Sequence, residues 1–349
     1  MSKEENNFNF QWHINEKCNL RCVHCYQEDY SSFSELSIDD LKLIADSLIR
    51  ALSKWNKKGK IAITGGEPFL RNDLFPLLQY LNNSPQISAL YILTNGTLID
   101  DQICRKIKSI SKITRIQISL DGASPEVHDS IRGKGAFEKA LKGIRFLNDN
   151  KIKVNLMYTL QKRNMNDIPA LFDLAIREKI NSLLVERFVP CGNGKMISNE
   201  MLSKKDLKNT FKFIAQRADS EYDKGNTLMI VKQRPLWINV DPEKAKKNSS
   251  IPLHKQIGGI CSIGLDNLTI MHDGTVLPCR RLNIPIGNLK QDTLFKIWYS
   301  SEVLWKIRNK RNLKGKCNSC EFIPICSGCR AMAYACTGDY LGEDPQCWK

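Results

Sequence analysis

Cys18, Cys22 and Cys25 stand in the spacing Cys-x3-Cys-x2-Cys, and no other feature of this 349-residue chain restricts its fold so strongly. Three thiolates placed this closely on one loop can hold a [4Fe–4S] cluster with one iron left open, whereas electron-transfer clusters take four cysteines. An iron with an open position can bind a small molecule and act on it. The other reading of the spacing is a zinc loop or unlinked buried thiols. The run Cys18-Asn-Leu-Arg-Cys22-Val-His-Cys25-Tyr26 follows Phe10-Gln-Trp-His-Ile14, an apolar–polar alternation that predicts a strand. The cysteine loop is therefore expected just after a first β-strand.

Six short apolar runs, at 10–14, 60–64, 89–94, 115–120, 152–159 and 183–189, alternate with helical patterns at 37–57, 72–83, 100–111, 136–150 and 165–179. Ser37, followed by Asp39 and Asp40, suits a helix N-cap, and Asn72 or Asp100 could cap in the same way. Such alternation builds an α/β fold with a parallel sheet and outer helices. Six units make a partial (β/α)6 version of the eight-fold barrel, whose site lies at the strand C-terminal ends. Residues 1–193 are expected to form this barrel. Residues 194–257, with Pro235, Pro242 and Pro252, are expected to form a helix and bridging loop, and 258–349 a second, metal-dependent domain. That last segment holds eight of the thirteen cysteines. So many thiols behind a polar N-terminus argue for metal binding in a reducing cytoplasm rather than for disulfides. No run of 18 apolar residues occurs, so no membrane span is expected.

The barrel segment carries further polar groups at its strand ends. Gly65-Gly66-Glu67-Pro68 combines two glycines that allow close backbone approach with an acid that could pair an ammonium group. Thr94-Asn95-Gly96 is either a turn or a site. Ser119 and Asp121, in Gln117-Ile-Ser-Leu-Asp-Gly122, either face the barrel mouth or cap the next turn. Arg132 could hold a carboxylate or lie at the surface. Alternation puts Asn155 and Met157 on one face of the fifth strand. Cys104 and Cys191 have no spaced partners and read as plain thiols.

This set resembles the radical S-adenosylmethionine (SAM) superfamily: a Cys-x3-Cys-x2-Cys loop after the first strand, an aromatic residue (Tyr26) after the last cysteine, and Gly-Gly-Glu-Pro after the second strand. The resemblance implies that Cys18, Cys22 and Cys25 bind a catalytic [4Fe–4S] cluster whose open iron chelates SAM. Reductive cleavage to a 5′-deoxyadenosyl radical would follow, with a reductant such as ferredoxin or flavodoxin. It also implies SAM contacts from Tyr26, Gly65, Gly66, Glu67, Pro68, Asn95, Ser119, Asp121 and Asn155. An anaerobic setting is expected, because oxygen destroys exposed clusters.

The second domain shows Cys261-x12-Gly274-x4-Cys279, with His272-Asp-Gly274 suited to a hairpin turn, then Cys317-x2-Cys320-x5-Cys326-x2-Cys329 and Cys347. This resembles the SPASM domain, which carries two auxiliary [4Fe–4S] clusters; a pair of zinc ribbons is the alternative. By resemblance, Cys317, Cys320, Cys326 and Cys347 bind the distal cluster and Cys261, Cys279 and Cys329 the nearer one. The x2 before Cys329 departs from the usual x3, and no cysteine stands shortly before Cys261 to supply a fourth ligand. That cluster either has an open iron or uses Cys336. Two helical turns separate Cys336 from Cys329, which favours Cys336 as a buried small residue. Enzymes of this kind act on peptides and proteins or on tetrapyrroles of haem biosynthesis. Maturation of a peptide or protein is the preferred expectation, and decarboxylation or side-chain modification of a tetrapyrrole the alternative. The net charge of +15, with six Lys or Arg and no acid at 306–316, reads first as a solvated helix face and loop, and otherwise as a surface for an acidic substrate of either kind. No nucleic-acid-binding motif accompanies it.

Overall fold

The structure is a computed structural model that describes residues 6–31, 33, 35–232, 234–247 and 253–349; residues 1–5 and Pro252 of the expected bridging loop lie outside the described residues. All six expected strands form: β1 (Asn7–His13), β2 (Lys58–Thr64), β3 (Ile87–Thr94), β4 (Ile113–Ser119), β5 (Val154–Leu160) and β6 (Ser182–Arg187). They run parallel in sequence order. Helices α1 (Ile38–Lys54), α2 (Leu74–Asn83), α3 (Asp101–Lys108), α4 (Pro125–Arg132), α5 (Ala136–Asp149) and α6 (Ile168–Arg177) make the crossovers. Ser37 closes a capping box on α1, and the Asp100 side chain accepts from Ile103 N at α3. Asn72 does not cap α2: Asp73 holds the N-cap position and makes no side-chain bond there.

The strand alternation sorts side chains by face. Ile61, Ile63, Leu90, Ile92, Ile116, Ile118, Val154 and Leu156 join one core, into which α1 sends Leu41, Ile44, Leu48 and Leu52 at three- and four-residue spacing. Burying each such side chain is worth roughly 1.5–3 kcal/mol. The intervening residues, among them Lys60, Ala62, Tyr91, Arg115, Gln117, Asn155 and Met157, line a central cavity of about 560 Å³. A face this polar is not a packed core. It is a space for a ligand.

Beyond the sixth strand, α7 (Lys204–Asp223) leads to a two-residue strand, β7 (Met229–Ile230), parallel to β6, and then to α8 (Pro242–Lys246). The expected hairpin forms as β8 (Asn267–Ile270) and β9 (Thr275–Leu277), turning at Gly274 with φ +87°. It does not stand apart from the barrel. β8 pairs parallel with β1, from Asn9–Asn267 to Trp12–Ile270, and β9 pairs with β10 (Gly287–Asn288), giving one ten-stranded open sheet. A six-stranded sheet would leave the backbone groups of β1 unpaired at an edge, and β8 satisfies them. The His272 Nδ1–Glu16 Oε1 contact of 2.6 Å ties the hairpin turn to the approach of the cysteine loop.

Helices α9 (Leu294–Ser300), α10 (Glu302–Arg308) and α11 (Arg330–Thr337) complete the chain. Much of the basic 306–316 stretch is engaged by the chain itself. Lys306 pairs with Glu302 and Lys314 with Asp339, while Arg308 and Lys310 donate to carbonyls of Gly264, Trp298 and Ile323. Among the described residues no helix is long and apolar enough to cross a membrane.

Candidate active site

Seven of the thirteen cysteines line the central cavity: Cys18, Cys22, Cys25, Cys191, Cys261, Cys279 and Cys329. Cys317, Cys320, Cys326 and Cys347 line a second, apolar cavity of about 370 Å³ with Leu236 and Phe322. Cys104 is buried in the core. Cys336 is exposed, which corrects the expectation of a buried residue: it lies near the C-terminal end of the short helix α11, with its Sγ 3.8 Å from Met332 Sδ and 3.9 Å from Met201 Sδ.

The cysteine loop is braced from several strand ends. Leu20 N points at Cys18 Sγ (3.4 Å), and Arg132 Nη1 lies 3.7 Å from Cys22 Sγ. Burial raises the Cys18 thiol and pushes Cys22 up to about 12, so it takes a strongly cationic group at the loop to hold both as thiolates. The donor set fits an iron–sulfur cluster: three half-buried sulfurs on one loop, with N–H groups aimed at two of them.

Gly65 and Gly66 line the cavity, and their lack of side chains has a steric cause. A Cβ on Gly66 would lie 2.4 Å from both Glu16 O and Lys17 O, and one on Gly65 would lie 2.8 Å from Asn15 O. The glycines thus seat the backbone that leads into Cys18. Glu67 is fully buried and absent from the cavity wall. Its carboxylate accepts from Thr94 Oγ1 (2.7 Å), Asn95 N (2.9 Å) and Phe69 N (3.2 Å), and burial pushes it up to about 7 against the pull of these donors. Pro68 is buried at the start of a short 3-10 turn. Asn95 lines the cavity and donates through Nδ2 to Asn19 Oδ1 (2.9 Å) in the cysteine loop.

Asp121 is likewise internal. Its Oδ2 takes Arg132 Nε (2.7 Å) and lies 3.4 Å from His24 Nε2, while Oδ1 accepts from Thr159 N (2.7 Å). Burial raises this carboxyl, but Arg132 and His24 outweigh it and hold the group below its ordinary value. Arg132 does hold a carboxylate, that of Asp121, and from there reaches Cys22. Ser119, Asn155 and Tyr26 line the cavity.

The sixth strand end does more than its sequence indicates. Gly194 N donates to Cys25 O (3.0 Å), and Gly192, at φ +57°, passes so close that a Cβ would lie 2.3 Å from Tyr26 O. Arg187 makes a buried bidentate pair with Asp344 (3.0 and 2.7 Å), whose Oδ2 also accepts from Cys329 N (2.9 Å). Arg280 also escaped the sequence reading. It is 7% exposed, sits 4.2 Å above the Tyr26 ring, and its Nε has no hydrogen-bond partner among the described residues. Its one sequence signal was adjacency to Cys279. Around the second cavity, Arg330 Nη2 lies 3.8 Å from Cys317 Sγ, Gly328 N 3.3 Å from Cys326 Sγ and Asn239 Nδ2 3.4 Å from Cys347 Sγ.

Comparison with known proteins matches residues 12–175 to the radical SAM superfamily and 261–321 to the iron–sulfur cluster-binding SPASM domain. The chain is 32% identical to an AdoMet-dependent heme synthase of Methanosarcina barkeri, covering 96% of this chain and 95% of that one. It is 31% identical to an Fe-coproporphyrin III synthase of the same organism, covering 97% and 86%. Among solved structures, Streptococcus suis SuiB bound to the precursor peptide SuiA superposes with a TM-score of 0.78 at 20% identity, over 99% of this chain and 76% of that one; this likeness shows the fold alone. The chain belongs to the radical SAM superfamily and is a radical SAM enzyme with a C-terminal SPASM domain, carrying a SAM-binding [4Fe–4S] cluster and auxiliary clusters.

Proposed function

We propose that the protein modifies a carboxylated tetrapyrrole, by oxidative decarboxylation or another side-chain reaction. What carries this reading is similarity over nearly the whole length to two enzymes named for haem and for iron-coproporphyrin III. The cavity supports it. Seven Lys or Arg residues line it (Lys60, Arg115, Arg132, Arg187, Arg234, Arg280 and Arg281) against a single carboxylate, Glu186. Arg132 and Arg187 are paired with Asp121 and Asp344, and Glu186 pairs with Arg234 and Arg281. Lys60, Arg115 and Arg280 have no carboxylate within ion-pair distance among the described residues and are left to receive anionic groups of a ligand. A peptide substrate, which the motifs alone favour, remains the second reading: a peptide-bound enzyme shares the fold, which fixes no substrate, and the full-length relatives give a peptide no preference.

When bound, the catalytic cluster and SAM supply a 5′-deoxyadenosyl radical. In our reading Cys18, Cys22 and Cys25 hold that cluster, and Tyr26, Gly65, Gly66, Ser119 and Asn155 form the SAM wall. Glu67, Asn95 and Asp121 position the loop, and Arg280 grips a substrate carboxylate. Anaerobic absorbance titration tests this. Iron-coproporphyrin III should bind tightly and its methyl ester weakly, and Arg280→Ala should weaken the free acid about tenfold to a hundredfold, as for a charge-assisted bond of roughly 1.5–3 kcal/mol. Equal binding of acid and ester would sink the carboxylate assignment.

A further inference from the structure

We propose that Cys191, at the end of β6, is the fourth ligand of the nearer auxiliary cluster, so that protein binds all four of its irons. The proposal rests on the assignment of Cys261, Cys279 and Cys329 to that cluster. Those three cysteines and Cys191 are half-buried, line the same cavity, and pack against one small apolar group formed by Val189, Ile263, Leu282, Ile307, Ala331 and Met332. Cys104 lies in the main core and Cys336 faces solvent beside two methionine sulfurs, so among the cysteines outside the expected cluster sets only Cys191 is placed on this wall.

The segment that runs from the end of β6 to Cys191 also positions Cys329. Arg187, four residues earlier, holds Asp344, and Asp344 accepts the N–H of Cys329. Cys191 itself is pinned in extended backbone (φ −133°, ψ 159°): its N–H donates to Val189 O (2.9 Å) and its carbonyl accepts from Gly194 N (3.1 Å). The backbones of Cys191 and Cys329 are thus each tied to the segment that leaves β6, on the wall of one cavity. Arg280 and Arg281 line the same cavity and would offset the charge of added thiolates. A closed cluster leaves no iron for substrate, which would then be held by cavity side chains alone.

The test uses the anaerobically reconstituted full chain with excess S-adenosylhomocysteine filling the catalytic iron, cyanide as the probe of any open iron, and EPR of the reduced clusters as the readout. The near-cluster signal should be unmoved by cyanide in the parent and should shift with cyanide in Cys191→Ala, the distal signal staying constant in both. If Cys191→Ala loses the near cluster, Cys191→Ser decides: a retained cluster with an altered signal supports ligation, and a signal identical to the parent overturns it. A cyanide-sensitive near cluster in the parent also overturns the proposal. A Cys279→Ala arm separates the underlying assignment, since retention of every signal there would mean that Cys261, Cys279 and Cys329 do not share a cluster.

Discussion

The Glu67 carboxylate has three donors on it and no face toward the cavity. Its motif suggested pairing with a ligand ammonium; its surroundings suggest that it locks the second strand end to the third. Glu67→Gln would set an amide against the N–H or hydroxyl donors, leaving at least one buried group unsatisfied, at a cost of about 1–3 kcal/mol. Denaturant unfolding should show that loss with SAM affinity per folded molecule nearly unchanged. Unaltered stability with weakened SAM binding would return Glu67 to the ligand. A motif names residue types but not which way each side chain turns, and that is why Asp121, Glu67 and Arg132 were identified as polar groups near a site while their mutual pairing was not. Arg187 and Asp344 lie 157 positions apart in the chain, with no periodicity to connect them. Arg187→Met should cost about 3–5 kcal/mol by leaving Asp344 charged and alone in the interior. It should also reduce iron in the nearer cluster, and adding Asp344→Leu should restore much of the stability.

Elements were more legible than side-chain contacts. Strands with strict alternation and helices with three- and four-residue apolar spacing announce themselves locally, and β1–β6 and five of the six crossover helices fall close to where those patterns end, whereas α4, capped by Ser124 and only eight residues long, lies in none of the expected helical segments. Strand β7 has two residues, too few for any period, and the docking of β8 on β1 is a pairing between segments 258 positions apart. The Cys-x3-Cys-x2-Cys loop depends on a third contact of this sort, the seating of residues 15–17 on Gly65 and Gly66. Gly66→Ala would drive a Cβ into two backbone carbonyls that cannot move aside as a side chain could. With three [4Fe–4S] clusters, about twelve irons are expected per chain. Gly66→Ala should lose about four of them, all from the catalytic site, with the auxiliary clusters intact by EPR. A full iron complement with normal SAM binding would show that the loop tolerates displacement.

At the scale of the whole molecule, the barrel and the cysteine-rich segment share one sheet and one cavity, with candidate catalytic sulfurs and near-cluster sulfurs both on its wall. The formal charge of +15 is informative here only where it is unpaired. The 306–316 stretch, the densest in the sequence, is largely engaged by carbonyls and carboxylates of the chain, while Lys60, Arg115 and Arg280, scattered in sequence, converge on the cavity. In the proposed function, that convergence is what would select a ligand with several carboxylates. The most direct test is anaerobic turnover with dithionite, SAM and either iron-coproporphyrin III or sirohaem, followed by mass spectrometry of the porphyrin and of 5′-deoxyadenosine. The account predicts a changed porphyrin mass, by loss of carbon dioxide and two hydrogens for each propionate that is oxidatively decarboxylated, with 5′-deoxyadenosine rising in step. Formation of 5′-deoxyadenosine at the same rate with or without porphyrin, both porphyrins keeping their mass, would contradict it.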